Sequence, residues 1–412
     1  MQSRVRWFVF FVAAAAAVGC AKTAFAQAAC EPAPMVAQDA KVRTLQQRLA
    51  VAMNQPSPRD IYASQLPAQA RTDIRALKDA LVAVTDARLA CEPASAPDVK
   101  ALQGVLAAAL GANRPAKPEM DDGAESGLAV RVELNRETPP WLLVRLGFPV
   151  ICGDDNLLLV YAYRDGSWRR IVRWQSGEYT KIYDAWGNFF DYVVLPSGNG
   201  HGRRIVVAHG SPWCTSRWSR FFMEVIEPDE HPDSAHRVFG MSSYDSRTAP
   251  PVLELVPDGF EIRLPVSTLG DPDMVRTGIF RYRQAGTGYK RVQPAALDPL
   301  DFVGAWLSVT WPQAAAWTEP ASVAVLREVH RNVTTIYAFG AYAGYGAVHM
   351  CSNGHYQVAL LLPALSRRVG PDMPMKTRYL QVHAGRPQEF RMFSSSMRPD
   401  PTCTRVIEMK PH

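Results

Sequence analysis

The residues of this chain best suited to chemistry are His201 and His209, in the run GHGRRIVVAHGSPWC that ends on Cys214. Positions that differ by an even number share a face on an unbroken strand. With Asp191, or with Asp154 and Asp155, the two imidazoles would form a polar pocket able to do acid–base work. Three features oppose this. Gly198, Gly200 and Gly202 place His201 in a loop, and Ser211 precedes Pro212 rather than completing the G-x-S-x-G of a nucleophile elbow. The GNGHG run also lacks the strand–turn–helix setting of a dinucleotide loop. Structural or solvent-facing histidines are the favoured reading. No complete catalytic motif is present, and no cofactor is indicated.

A second cluster, His349-x-Cys351-x3-His355, has the soft sulfur and imidazole donors of a zinc or copper site. It straddles a predicted turn, and Cys351 has an oxidised fate open to it with Cys403. One sulfur cannot be both a thiolate ligand and half of a disulfide, so the disulfide is expected and no metal centre is assigned. A third group is a surface of Trp168, Trp174, Trp186, Trp213 and Trp218 among Arg169, Arg170, Arg173, Arg217 and Arg220. Indole rings stack on sugar faces, and guanidinium groups grip carboxylates in bidentate fashion. Trp168, Arg170, Trp174, Trp213 and Trp218 are therefore the candidate binding residues, with an acidic glycan as the ligand. The competing account fills a core with the tryptophans and covers the solvent face with the arginines. The carboxylate pairs Asp154-Asp155 and Asp271-x-Asp273 would suit calcium or a glycosidase, but acids in turns are common and nothing singles these out.

The elements that must position these groups centre on Leu157 to Trp174, LLLVYAYRDGSWRRIVRW. Two strand-like runs flank Asp165-Gly166, which supplies the φ > 0 positions of a tight hairpin. Period-two alternation puts Tyr161 and Tyr163 on one face and Val160 and Ala162 on the other. The pattern returns in RFFMEV with AHRVFG and in GIFRY with YKRVQP, so that Tyr163, Met223 and Tyr282 recur at steps of 60 and 59 residues. Repeats of this size suggest stacked or radially arranged sheets.

Upstream the period is helical. Ile74, Leu77, Leu81 and Val84 form one stripe, Val99, Leu102, Leu106 and Ala109 another, and Leu45, Leu49 and Ala52 a shorter third. Ser57-Pro58-Arg59-Asp60 and Pro97-Asp98 read as helix starts. The chain thus divides into a helical bundle over 30–113, a Pro- and Gly-rich linker over 114–127, and a β repeat domain over 128–297. A small α+β domain over 298–412 completes a multidomain α+β fold. In that last region Phe302, Val303, Trp306 and Leu307 form a helical stripe, and Val323 to Val329 suit a second helix. Hairpins follow, turning at Ser352-Asn353-Gly354 and Ala384-Gly385.

The N-terminus reads as a signal peptide over 1–26. Arg4 and Arg6 precede an apolar run of 12 residues, Trp7 to Val18, and Ala24-Phe25-Ala26 supplies a cleavage pattern. Twelve helical residues reach about 18 Å, short of the ~30 Å hydrocarbon core, so no transmembrane span is expected in the mature chain. Ala17-Val18-Gly19-Cys20 offers an alternative, lipidation at Cys20, which would give a membrane-anchored lipoprotein instead of a periplasmic or extracellular one. The formal charge of +6 over 412 residues includes Arg4, Arg6 and Lys22, and their removal leaves +3. That balance is too small to draw nucleic acid. In an oxidising compartment the remaining six cysteines suit three disulfides, and nearest-neighbour pairing gives Cys30–Cys91, Cys152–Cys214 and Cys351–Cys403.

The blocks GSPWCTSRWS and RVQPAALDPLDFVGAWL resemble those of a family of exported bacterial proteins to which no activity attaches. The repeat region is loosely similar to bacterial β-propellers, with a β-sandwich as the alternative. The C-terminal region resembles cone folds of the NTF2 or cystatin type. What these resemblances imply is a fold and no chemistry. The function indicated is a non-catalytic exported module that binds a ligand or partner, an acidic glycan or an envelope protein. A hydrolase using His201 or His209 with a carboxylate, and a structural envelope protein, are the alternatives.

Overall fold

A computed structural model describes residues 32–53, 66–112, 114–115, 127–150, 153–177, 189–198, 202–210, 219–229, 231–233, 235–245, 249–267, 275–292, 296–338, 344–363, 375–385 and 389–407. The signal-peptide segment, Cys20, Cys30, Cys152 and the Ser57–Asp60 helix start lie outside them, as do His201, Trp213, Cys214 and Trp218. The chain forms two compact units. The first comprises Met1–Phe190, Gly202–Thr215 and Glu224–Arg237, and the second Asp191–His201, Ser216–Met223 and Val238–His412.

The first unit opens with helices α1 (Pro32–Met53), α2 (Ala68–Ala90) and α3 (Val99–Leu110). Their buried faces are the stripes read from the sequence: Leu45, Leu49 and Ala52; Ile74, Leu77, Leu81 and Val84; Leu102, Leu106 and Ala109. Asp98 starts α3 as expected, its carboxylate accepting the amides of Lys100 and Ala101. Replacing it with alanine is expected to lower stability by about 1 kcal/mol, the usual worth of an N-cap, measured as a shift in the urea midpoint.

A sheet follows in the order β1 (Arg114–Pro115), β2 (Ala129–Asn135), β3 (Trp141–Val150), β4 (Gly153–Arg164) and β5 (Ser167–Gln175). β1 pairs parallel with β2, and the other four strands form an antiparallel meander. Asp165 (φ 52°) and Gly166 (φ 76°) make the predicted turn between β4 and β5. Register pairs Leu142 with Tyr161, Val144 with Leu159, and Leu146 with Leu157. All six belong to one hydrophobic core together with the helical stripes. That core has members on both sides of the 114–127 segment where the sequence reading draws its linker. An amphipathic bundle and a half-apolar sheet each leave a face to cover, and here they cover each other.

The remaining strands complete two further meanders. β6 (Phe190–Leu195), β7 (Arg204–Gly210), β8 (Ser219–Glu227) and β9 (His236–Asp245) form one sheet. β10 (Val252–Val256), β11 (Gly259–Ser267), β12 (Val275–Ala285) and β13 (Gly288–Arg291) form the next. Tyr163, Met223 and Tyr282 fall on β4, β8 and β12, so the repeat of about 60 residues is one meander per copy. In the β10–β13 sheet, Phe260 stacks on Tyr282 at 5.3 Å, while Glu261, only 1% exposed, is gripped by Arg263 and Arg281.

The second unit continues with α4 (Pro299–Ser308), α5 (Trp311–Ala316), a 3-10 turn over Pro320–Ser322 and α6 (Val323–Ala338). Strands β14 (Gly344–Met350), β15 (Tyr356–Pro363), β16 (Met375–Ala384), β17 (Phe390–Ser396) and β18 (Arg405–Ile407) then form a sheet in the order β17-β16-β15-β14-β18. Phe302, Val303, Trp306 and Leu307 of α4 are buried against Val358, Leu380 and Met392. No described helix is long and apolar enough to cross a membrane.

Candidate functional site

Of the expected aromatic and arginine surface, Trp168, Arg169, Arg170, Arg173 and Trp174 lie on β5, while Trp186, Trp213, Arg217 and Trp218 lie outside the described residues. Trp168 and Trp174 are 3% and 7% exposed, and they lie on opposite faces of the sheet. Their even separation predicts a shared face, but the register slips between Val160 and Tyr161, leaving Ile171 as an extra residue on β5. A bulge of one residue reverses the alternation beyond it. Before it, Trp168 packs edge-on against Tyr163 and donates its indole N–H to the Ala94 carbonyl. After it, Trp174 lies 5.1 Å from the Phe190 ring and donates to Glu224 Oε2 at 3.0 Å. Arg170 is bound to Asp86 and Asp233, and Arg173 to Asp79. Trp168 and Trp174 are therefore covered, and Arg170 and Arg173 are engaged within the protein.

His209 is also internal. It is 4% exposed, its ring is 5.0 Å from Trp174, and burial pushes its pKa down to about 4 against a smaller opposing pull from Glu224. An imidazole so placed is neutral at pH 7 and poorly placed for acid–base exchange with solvent. Asp191 accepts the amide of the neighbouring Tyr192 at 2.8 Å. Of the carboxylate pairs, Asp155 is fully buried and joined to Lys78 at 2.8 Å. Asp271 and Asp273 lie outside the described residues.

In the second unit Cys351 is bonded to Cys403, which takes its sulfur out of the proposed metal cluster. His349 sits on β14 opposite Gln357, and His355 follows the turn after Cys351. Among the described residues no group of three His, Cys, Asp or Glu side chains is arranged to hold a metal ion. Cys91 is disulfide-bonded as well, and its expected partner Cys30 lies outside the described residues.

A cleft of about 240 Å³ opens instead beside β17, lined by Trp317, Glu319, His383, Glu389, Phe390 and Arg391 together with Gly385. Two segments far apart in sequence build it. The stretch after α5 lies along β17, with the Met392 amide donating to the Trp317 carbonyl and the Glu319 amide to the Met392 carbonyl. Across the hairpin His383 pairs with Arg391 and Ala384 with Phe390. Pleating then sends Phe390 inward, stacked on Phe302 at 5.8 Å, and leaves His383 and Arg391 together on the other face.

The charged groups of the cleft are loosely engaged. Glu319 Oε1 lies 4.0 Å from His383 Nδ1, and among the described residues neither Glu389 nor Arg391 has an ion-pair partner. The His355 ring sits 4.8 Å from His383 and 4.5 Å from Phe393, and burial followed by the neighbouring imidazole lowers its pKa. Carboxylates and a guanidinium in one concavity are groups by which proteins hold small polyhydroxylated ligands.

No protein-family model and no curated protein matches the chain. Among solved structures it is similar to the α-L-arabinofuranosidase Arb93A from Fusarium graminearum in complex with an iminosugar inhibitor. The identity is 12% over 67% of this chain and 68% of that one, with a TM-score of 0.27. The GH93 α-L-arabinofuranosidase of Fusarium graminearum with arabinobiose gives 12% over 67% and 70%, with a TM-score of 0.24. A xylan β-1,4-xylosidase from Bacillus halodurans C-125 gives 11% over 72% and 49%, with a TM-score of 0.21.

Proposed function

We propose that this protein is an exported, non-catalytic glycan-binding module of the cell envelope, with the cleft beside Trp317 as its binding site. The observation that carries the reading is the convergence of Glu319, Glu389 and Arg391 with Trp317 and Phe390 around one concavity. Sugar hydroxyls donate to carboxylates and accept from guanidinium N–H groups. The leader over 1–26 supplies export, and the β16–β17 hairpin with the segment after α5 holds the cleft.

Glu319→Gln and Glu389→Gln keep the shape of each side chain and remove a charge-assisted hydrogen bond worth about 1.5–3 kcal/mol. Each is expected to weaken oligosaccharide binding by at least ~10-fold in titration calorimetry. Arg170→Gln, at a guanidinium bound to Asp86 and Asp233, is expected to leave affinity unchanged. Unaltered binding by both glutamine variants would move the site elsewhere.

Two carboxylates in one cleft are also what glycosidases use. Release of reducing sugar by the purified protein, abolished in either glutamine variant, would turn the reading from binding to hydrolysis.

A further inference from the structure

The β16–β17 hairpin carries titratable groups that the glycan reading leaves unused. His383 on β16 pairs with Arg391 on β17, and its ring is 4.8 Å from that of His355, the residue before β15. The register that pairs Tyr356 with Val382 runs on to this point, so His355, His383 and Arg391 form one row across three neighbouring segments. The turn that carries His355 is well held. The Cys351 amide donates to the His355 carbonyl at 2.8 Å, and the disulfide to Cys403 ties the turn down. On the cleft side of the row Glu319 Oε1 stands 4.0 Å from His383 Nδ1, with the two side chains 35% and 49% exposed.

Charge faces His383 from each element around it. Glu319 and Glu389 are negative, Arg391 is positive, and His355 is neutral or positive according to pH. Further along β16, Gln381 and Thr402 occupy the Asp400 carboxylate. With His383 neutral, two carboxylates and one guanidinium leave the cleft at −1, and one proton brings it to zero. That proton has a place waiting for it. An imidazolium at His383 donates to Glu319, and the loose contact becomes a charge-assisted hydrogen bond. His355 has no such partner: its Nδ1 is buried without a hydrogen bond among the described residues. Burial, and then the adjacent His383, hold its pKa below the usual imidazole value. Like charges side by side across a sheet oppose one another, so a proton entering the row is held best between His383 and Glu319.

We infer that His383 makes binding in this cleft sensitive to pH. Neutral, it leaves Glu319 free to accept a ligand hydroxyl; protonated, it draws Glu319 into an ion pair and lowers the affinity. The inference rests on the glycan-binding reading above, because it needs Glu319 as a ligand acceptor. The coupling is reciprocal: a ligand that takes Glu319 expels the proton, and a proton on His383 expels the ligand. Affinity is therefore full above the range in which imidazoles titrate and falls as the pH drops through it. An ion pair this exposed is worth little, so the change is a modulation of a few fold and not an all-or-none switch.

Two measurements on the full chain test this. The first needs no ligand. Nuclear magnetic resonance follows the imidazole signals from pH 8 to pH 5, and the signal lost in His383→Asn identifies His383. Its midpoint is expected to move to lower pH in Glu319→Gln, by a few tenths of a pH unit, and to higher pH in Arg391→Gln. An unmoved midpoint in Glu319→Gln would overturn the inference whether or not a sugar binds. The second is titration calorimetry with neutral xylotriose, a probe with no group that titrates in this range, at pH 7.5 and pH 5.5, where ordinary carboxylates stay ionised. Affinity is expected to be at least ~3-fold lower at pH 5.5, and that ratio to fall to about one in His383→Asn. Equal affinity at the two pH values, or a ratio that survives in His383→Asn, would overturn the regulation and leave the glycan reading standing. No binding at either pH, with the midpoint moved in Glu319→Gln, would overturn the glycan reading while the proton coupling stands.

Discussion

Replacing Lys78 with methionine is expected to destabilise the protein by about 3–5 kcal/mol, the usual cost of removing one partner from a buried ion pair. Lys78 and Asp155 have side chains 3% and 0% exposed, with Nζ and Oδ2 2.8 Å apart. The same ammonium donates to the Ser176 carbonyl at 2.8 Å. Methionine fills the space but leaves the Asp155 carboxylate without that cation. Urea denaturation followed by circular dichroism measures the effect. Lys78→Met/Asp155→Leu is expected to recover most of the loss, because an apolar pair in place of a buried ion pair is often close to neutral. A single variant as stable as the parent would show that this pair does not anchor α2 to the sheet.

The second large effect is a dependence on pH. Burial holds His209 neutral in the folded state with a pKa near 4, against about 6.5 in an unfolded chain. Its contribution is therefore fully present above pH 6.5. Below that value the unfolded state takes up a proton that the folded state refuses, and stability falls as pH drops toward 4. The loss through His209 is about 2 kcal/mol by pH 5 and about 3 kcal/mol at its limit, at about 1.4 kcal/mol per pH unit. His209→Leu removes the titrating group, so the difference between the two proteins should shrink or reverse as the pH falls. Parallel stability curves between pH 7 and pH 4.5 would show that His209 is protonated in the folded state.

Local regularities in the sequence carry much of this fold. The stripe Ile74, Leu77, Leu81 and Val84 becomes the buried face of α2. The spacing of Tyr163, Met223 and Tyr282 marks the third strand of three successive meanders. Asp98 caps α3 where its position before a helical pattern says it should. These signals are legible because helix and strand periods are properties of a few consecutive residues.

The site was not legible, for two physical reasons. First, parity arguments along β5 hold only for an unbroken strand, and the slip at Ile171 separates Trp168 from Trp174. Nothing in IVRW announces that slip, because it is set by pairing with β4. Second, the cleft depends on a parallel bridge between Thr318 and Met392, which joins a segment after a short helix to a hairpin strand. Alternation on β16 and β17 does put His383 and Arg391 on one face, but no local pattern says that Trp317 and Glu319 will arrive beside them. The sequence reading looks for indole with guanidinium on β5, and the proposed cleft lies in the second unit instead. Trp168 and Trp174 are packed inside the fold, while Trp317 and Arg391 line the cleft.

The measurement that bears most directly on the account is a crystal structure of the protein grown with a saturating oligosaccharide. A sugar ring within hydrogen-bonding distance of Glu319, Glu389 and Arg391 is the predicted result. Oligosaccharide bound on another surface, with the cleft vacant, would contradict it.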